Sequence, residues 1–252
     1  MSDQTFSAAA DVVAEPVGYV RPEFERTKLH PPRTHRAIVG HERLLALRPD
    51  PAQSPVVTMV APAGYGKSTM LAEWANHDPG RVVWATLDAH DDDPAVLVAL
   101  LATAVIGSGI SAPGLEAGLS APMPSVWSRA MPRLSASLHE AAPFTLILDD
   151  AHSVTSSASW DVIDWLMLHV PQHSQVIIAG RSLGGSAMAR LQVSGQLAML
   201  GITDLAISDT EAHELLAGTD QGVTAVDAAR LNRSCGGWVS GLLLSGATAD
   251  PR

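Results

Sequence analysis

Hydrophobic positions follow two alternating patterns along the chain. Short apolar runs rich in β-branched residues lie at Pro55–Val60, Arg81–Leu87, Phe144–Leu148 and Gln175–Ala179. Such runs are the mark of strands buried on both faces of a parallel sheet. Between them apolar residues recur at helical spacing: Met70, Leu71 and Trp74, then Val96, Leu97, Leu100 and Leu101, then Trp160, Ile163, Met167 and Val170. Weaker helical patterns surround Glu42–Leu47 and lead up to Ala142. Asp93 followed by Pro94 is a good helix entry, Ser159 is expected to cap the helix bearing Trp160, and Ser208-x-x-Glu211 reads as a capping box. A shorter fifth strand is expected near Asp204–Ile207. Strands alternating with helices imply an α/β fold: a mostly parallel five-stranded sheet flanked by helices, with a small helical C-terminal portion.

This pattern divides the chain into a tail without periodicity at 1–27, an α/β unit at 28–207 and a helical segment at 208–252. Gly107–Ser125, rich in Gly, Ala, Pro and Ser, reads as a long functional or poorly ordered loop. Apolar residues make up 46% of the 252 positions, enough for a substantial core, so disorder throughout is excluded. A single cysteine, Cys235, excludes an intrachain disulfide and a cysteine-rich metal site. The longest apolar stretch, Ala95–Ile106, is too short to span a bilayer, and the first twenty residues lack a signal pattern. A cytoplasmic protein without membrane association is expected.

A net charge of −10 argues against direct nucleic-acid binding by this chain. The charge is uneven, however: Arg21–Arg48 holds seven cations against three acids, a local balance of about +4. That segment reads as a solvated, docked arm or as a contact for a phosphate-bearing ligand.

The strongest chemical signal is Ala61-Pro-Ala-Gly64-Tyr65-Gly66-Lys67-Ser68, placed between the first strand and a helix. This is Walker A spacing with alanine for the first glycine. Gly64 and Gly66 let main-chain amides turn toward phosphate oxygens, and the following helix adds its positive end. Lys67 would sit beside the β- and γ-phosphates, and the Ser68 hydroxyl would coordinate Mg²⁺. Phe144–Leu148 then runs into Asp149 and Asp150, the Walker B pattern of an apolar strand ending in acids. Carboxylates at that end of a buried strand face the ligand crevice of α/β sheets. Asp149 is assigned to the ion and Asp150 to an attacking water. Arg181, after the fourth strand, is placed to sense the γ-phosphate with its planar fork. The candidate catalytic set is therefore Lys67, Asp150 and Arg181. Ser68 and Asp149 form the candidate metal set.

Other signals compete less well. Gly180-Arg-Ser182-Leu-Gly184 matches a hydrolase nucleophile elbow, but the only later histidine, His213, follows Asp204 and Asp209 too closely for a triad built on separate strands. Asp88 and Asp91–Asp93 read as a solvated helix entry. His169 and His173 are separated by Pro171, which breaks the helix that would align them on a metal. The tryptophans read as core.

With these residues in place, the chain resembles the N-terminal nucleotide-binding module of MalT-like large LuxR-family regulators, which are signal-transduction ATPases with numerous domains. The resemblance is carried by Lys28-Leu-His-Pro-Pro, Ile38-Val39-Gly40-His-Glu-Arg-Leu-Leu, the phosphate loop with Trp74-Ala, Trp84-Ala-Thr-Leu-Asp88, Asp92-Asp-Pro94, Leu148-Asp-Asp-Ala-His152, Arg181-Ser182 and Gly236-Gly-Trp238. It implies a P-loop NTPase of the ASCE and STAND type that takes ATP or ADP with Mg²⁺. Val39 and Gly40 would lie against adenine, and the stretch Gly64, Tyr65, Gly66, Lys67, Ser68 and Thr69 would hold the phosphates. It further implies a switch in which ATP favours an open, self-associating form and ADP a closed one. Those regulators continue into a winged helix, a helical-repeat sensor and a helix-turn-helix, none of which is read in these residues. The chain is therefore expected to be either a piece or short form of such a regulator or a free-standing ATP-binding protein. A small-molecule kinase would need an arginine-rich lid, and Gly107–Ser125 contains no arginine. An adaptor that binds nucleotide with negligible turnover is the remaining rival.

Overall fold

The computed structural model describes residues 26–33, 38–111, 114–115, 126–218 and 223–248. Five strands, β1 (Val56–Val60), β2 (Arg81–Thr86), β3 (Phe144–Asp149), β4 (Gln175–Gly180) and β5 (Leu197–Leu200), form one sheet in the order β2-β3-β4-β1-β5. Every pairing is parallel. One strand, β4, separates the strand leading into the phosphate loop, β1, from the strand ending in the two acids, β3. That arrangement is the P-loop NTPase topology of ASCE type expected from the sequence.

Side chains along these strands alternate between two hydrophobic layers, as a period of two requires. Val56, Leu146, Leu148, Val176 and Ile178 point into one layer, and Val57, Met59, Ile147, Ile177 and Ala179 into the other. The first layer is closed by helices α3 (Pro94–Gly107), α4 (Met131–Ala141), α5 (Ser157–Leu168) and α6 (Ala187–Val193). The second is closed by α1 (His41–Ala46) and α2 (Lys67–Asn76), through Met70, Leu71 and Trp74. After the short α7 (Ile202–Leu205), helices α8 (Asp209–Ala217), α9 (Ala225–Cys235) and α10 (Val239–Thr248) build a third cluster around Ile207, Ala212, Leu216, Ala228 and Leu242.

Several local expectations are corrected. The fifth strand is Leu197–Leu200, not Asp204–Ile207. Leu197-Ala-Met-Leu contains no β-branched residue and becomes a strand only because β1 offers it an edge. Asp204 instead accepts a 2.7 Å hydrogen bond from the Gly201 amide and caps α7. Ser156 occupies the position before α5, while Ser159 is inside the helix and fully buried. The stripe Trp160, Ile163 and Met167 is core as read. The capping box of Ser208 and Glu211 forms at the start of α8.

The acids after β2 are not simply solvated. Asp91 is fully buried and pairs with Lys28, Asp88 pairs with the same ammonium at 3.0 Å, and Asp92 accepts from the Thr155 and Ser156 amides. Only Asp93 acts as a helix cap alone, accepting from Ala95 and Val96. Trp74 and Trp84 are core, but Trp127 is about half exposed. Residues 1–25 and most of the stretch Gly107–Ser125 lie outside the described residues. Of that stretch, Ile110 and Leu115 are buried in the first layer.

Candidate nucleotide site

β1 delivers Ala61 at its carboxyl end, and Gly66 in a left-handed conformation (φ 83°) starts α2 at Lys67. The loop between them is shaped from both sides. Inside it, the Lys67 ammonium folds back onto the carbonyls of Ala61 (2.8 Å) and Pro62 (3.0 Å). Outside it, the start of α10 holds two further carbonyls. The Trp238 indole Nε1–H donates to Ala63 at 2.8 Å, and the Ser240 amide donates to Gly64 at 3.1 Å. Gly64 has φ 82°, and a Cβ there would meet Ser240 Oγ at 2.4 Å and Trp238 Nε1 at 2.6 Å. No side chain fits, so the glycine is required twice over, by its backbone angle and by this contact.

β3 brings the acids to the same place. Asp149 is buried, its carboxylate is hydrogen-bonded by the Ser68 hydroxyl, and its Oδ1 accepts the Asp150 amide at 2.9 Å. Burial pushes Asp149 above the ordinary carboxylate range; the Ser68 bond works against this and the Asp150 charge adds to it. Burial likewise holds Lys67 below the ordinary lysine range, opposed by the pull of Asp150 and Asp149 and reinforced by Arg181. These four charged groups therefore share one site, although Arg181 itself is exposed.

Asp150 sits in the left-handed region, at φ 56° and ψ 33°, where a residue other than glycine is uncommon. Its side chain is partly exposed, with His152 Nδ1 at 3.7 Å. Among the described residues the only other non-glycine with positive φ is His173. Ser182 is not strained, and a nucleophile elbow would require strain at that residue.

A donor set of a hydroxyl oxygen and a buried carboxylate suits a hard cation such as Mg²⁺. The Ser68–Asp149 contact, with a carboxylate that burial makes costly to ionise alone, fits such an ion. Thr27, Lys28 and His30 roof this end of the site, lining a cavity of about 300 Å³ with Ser68, Asp149 and Asp150. Sequence reading placed Lys28 in a segment that is either a docked arm or a contact for a phosphate-bearing ligand; its pairing with Asp88 and Asp91 is what brings that segment here. Arg43 and Arg48 are likewise turned to acids, Glu211 and Asp78, at 2.8 and 2.6 Å. Arg21 and Arg36 lie outside the described residues.

On the other side of the phosphate loop opens a mostly apolar cavity of about 450 Å³, within the usual range for small-molecule sites. Ile38, Val39 and Leu44 form one wall, Leu205 and Ile207 another, and Val239 and Leu243 close it from α10. Tyr65, Gly66, Ser68 and Thr69 form its phosphate-loop edge. Of the two residues assigned to adenine, Val39 lines the cavity and Gly40 does not. Gly40 (φ 67°) turns toward the Glu211 carboxylate instead, which would lie 1.8 Å from a Cβ. The walls from α7 to α10 carried no chemical motif, and only their position reveals them. The one available signal was Gly236-Gly-Trp238, whose role in bracing the loop follows from contact alone.

Among the described residues no helix is long and apolar enough to cross a membrane. A scan against protein-family models gives no match. Over 232 aligned residues, 86% of this chain, the sequence is 30% identical to the HTH-type transcriptional regulator MalT of Yersinia pestis. It is 29% identical over 225 residues to MalT of Yersinia enterocolitica. Among solved structures, the Walker-type ATPase paby2304 of Pyrococcus abyssi superposes with a TM-score of 0.49 at 13% identity, over 83% of this chain and 67% of that one. AMPPCP-bound DnaA from Aquifex aeolicus gives 0.38 at 16% identity, over 82% of this chain and 59% of that one. The alignments with MalT span only 24% of each regulator's length. By sequence, then, the chain is similar to the MalT-type transcriptional regulators, matching most of its own length to about a quarter of theirs.

Proposed function

We propose that this chain is the ATP-binding switch of a MalT-like transcription regulator, binding Mg-ATP and hydrolysing it slowly. The observation that carries the reading is the convergence of Lys67, Ser68, Asp149 and Asp150 at one end of a phosphate loop whose other side opens on an apolar cavity. The triphosphate tail would lie along the amides from Gly64 to Ser68, with the base against Val39 and Leu44. Lys67 would exchange its bonds to Ala61 and Pro62 for phosphate oxygens. Ser68 and Asp149 would hold Mg²⁺, which when bound neutralises charge on the β- and γ-phosphates. Asp150 would orient and polarise the attacking water, and Arg181 would reach the γ-phosphate. ATP would favour an open, self-associating form and ADP a closed one, with the relatives' DNA-linked output lying outside this chain.

Calorimetry and a phosphate-release assay test this. Mg-ATP and Mg-ADP are expected to bind one per chain, and Lys67→Ala to weaken binding at least about tenfold, as losing a charge-assisted bond predicts. Asp150→Asn is expected to keep binding and lose turnover by about 10²-fold or more. Binding that survives Lys67→Ala unchanged would overturn the assignment. Phosphate appearing on an added acceptor instead of in water would replace the switch with a kinase.

A further inference from the structure

Outside the nucleotide site, α1 and the end of α2 bring together three groups that ligate transition metals. Glu73 is buried, and its Oε2 lies 2.7 Å from His41 Nδ1 and 3.8 Å from His77 Nδ1. The two imidazole rings meet edge to face, with centroids 4.9 Å apart. One potential ligand atom from each of the three residues lies within 4.8 Å of the others. A carboxylate this deep requires a cationic partner, and among the described residues its ion pairs are both with imidazoles.

The environment of His77 adds a second, independent observation. Its Nδ1 lies 2.9 Å from the main-chain carbonyl of Glu73, one helical turn earlier. A carbonyl only accepts, so Nδ1 carries the hydrogen and Nε2 keeps the lone pair. A metal-binding histidine is commonly oriented in this way by a carbonyl on its other nitrogen. Glu73 and His77 stand four residues apart on one face of α2, and His41 completes the set from the first residue of α1.

We propose that His41, Glu73 and His77 bind a divalent first-row ion of zinc type. Two imidazoles and one carboxylate are a recurrent zinc set that leaves the fourth position to water. Nitrogen donors select such ions over Mg²⁺, which prefers oxygen alone. The ion would take the place of the proton shared by His41 and Glu73. Its position gives it a task. Helix α1 follows Val39 and carries Leu44 into the cavity wall, and α2 begins at the phosphate loop. A cation joining the first residue of α1 to the last turn of α2 ties these two walls together.

The test is a titration of the tag-free full chain with Co²⁺ and Zn²⁺ in excess Mg²⁺. One equivalent of Co²⁺ is expected to bind with the visible absorption of a four- or five-coordinate ion, and Zn²⁺ to displace it and raise the Tm by a few degrees. His41→Ala and His77→Ala, both at partly exposed positions, are each expected to weaken binding at least about 100-fold, while His90→Ala leaves it unchanged. Circular dichroism confirms that each variant is folded. The proposal is overturned if micromolar Zn²⁺ is not bound stoichiometrically, or if the double variant of His41 and His77 binds as the parent does. Because the readouts need no nucleotide, failure here leaves the switch reading standing, and failure of nucleotide binding leaves this one standing.

Discussion

Burial disfavours the charged forms of both Asp149 and Lys67, and groups perturbed in this way cluster at functional sites. The sign of the effect on stability follows from the raised Asp149 pKa. Between the ordinary carboxylate value and the raised one, the folded chain holds a proton that the unfolded chain has released. The stabilisation is complete at low pH and is lost as pH rises through the folded value. Asp149→Asn keeps one acceptor oxygen for the Asp150 amide and presents an N–H donor to the Ser68 hydroxyl oxygen while removing the buried charge. Without nucleotide, it is expected to raise the Tm at pH 7 by a few degrees, a gain that vanishes below about pH 4. The same variant should lose the Mg²⁺ dependence of ATP binding. A Tm that falls at neutral pH would show that the carboxylate is stabilising as an anion. At this scale the sequence was informative: on the proposed function, phosphate chemistry would dictate the types and order of Gly64, Gly66, Lys67, Ser68, Asp149 and Asp150, which the fold brings to one place. Gly40 has a further cause that the sequence hides: a Cβ there would meet Glu211, a partner 171 positions away.

Elements were legible wherever one physical cause dominated. The strands β1 to β4 are buried on both sides and so announce themselves as apolar runs. Strand β5 is four residues long, has no β-branched side chain and leaves Met199 more than half exposed, so it gave no such signal, whereas β2 at the opposite edge did. The start of α10 shows the same limit from the functional side. Its contact with the phosphate loop is made by an indole N–H and a main-chain amide, and a main-chain amide has no sequence signature. Trp238→Phe keeps an aromatic six-membered ring and removes the indole N–H that donates to Ala63. It is expected to weaken Mg-ATP binding by about 0.5–1.5 kcal/mol, several-fold in Kd, with little change in Tm. Isothermal calorimetry on the two proteins decides this, and equal affinities would remove Trp238 from the loop's support.

For the whole molecule, the distribution of paired acids sets the acid limit. Burial pushes Asp78 up, but hydrogen bonds from Thr145, Gly80 and Arg48 outweigh it and leave the group below its ordinary value. Glu211 is depressed in the same manner by Arg43 and Ser208. Such groups contribute fully above their ordinary pKa and lose that contribution as pH falls through the depressed one. These groups therefore hold the urea midpoint steady from neutrality to about pH 4, with Asp149 adding a rise as pH falls through its raised value, and a steep fall is expected below about pH 4. Arg48→Met should flatten that fall. A midpoint that declines already from pH 6 would point to histidines instead.

Two of the contacts described above involve the elements around the apolar cavity: Arg43, part of its lining, with Glu211, and Trp238 with Ala63. Both join the C-terminal helices to the rest of the chain, like a strap buckled on either side of a saddle. Loosening either contact is expected to speed the release of a nucleotide seated beneath, since lifting the helices then costs less. Spent nucleotide should then travel with the protein through purification, and Arg43→Ala should shorten its stay without altering what is recognised.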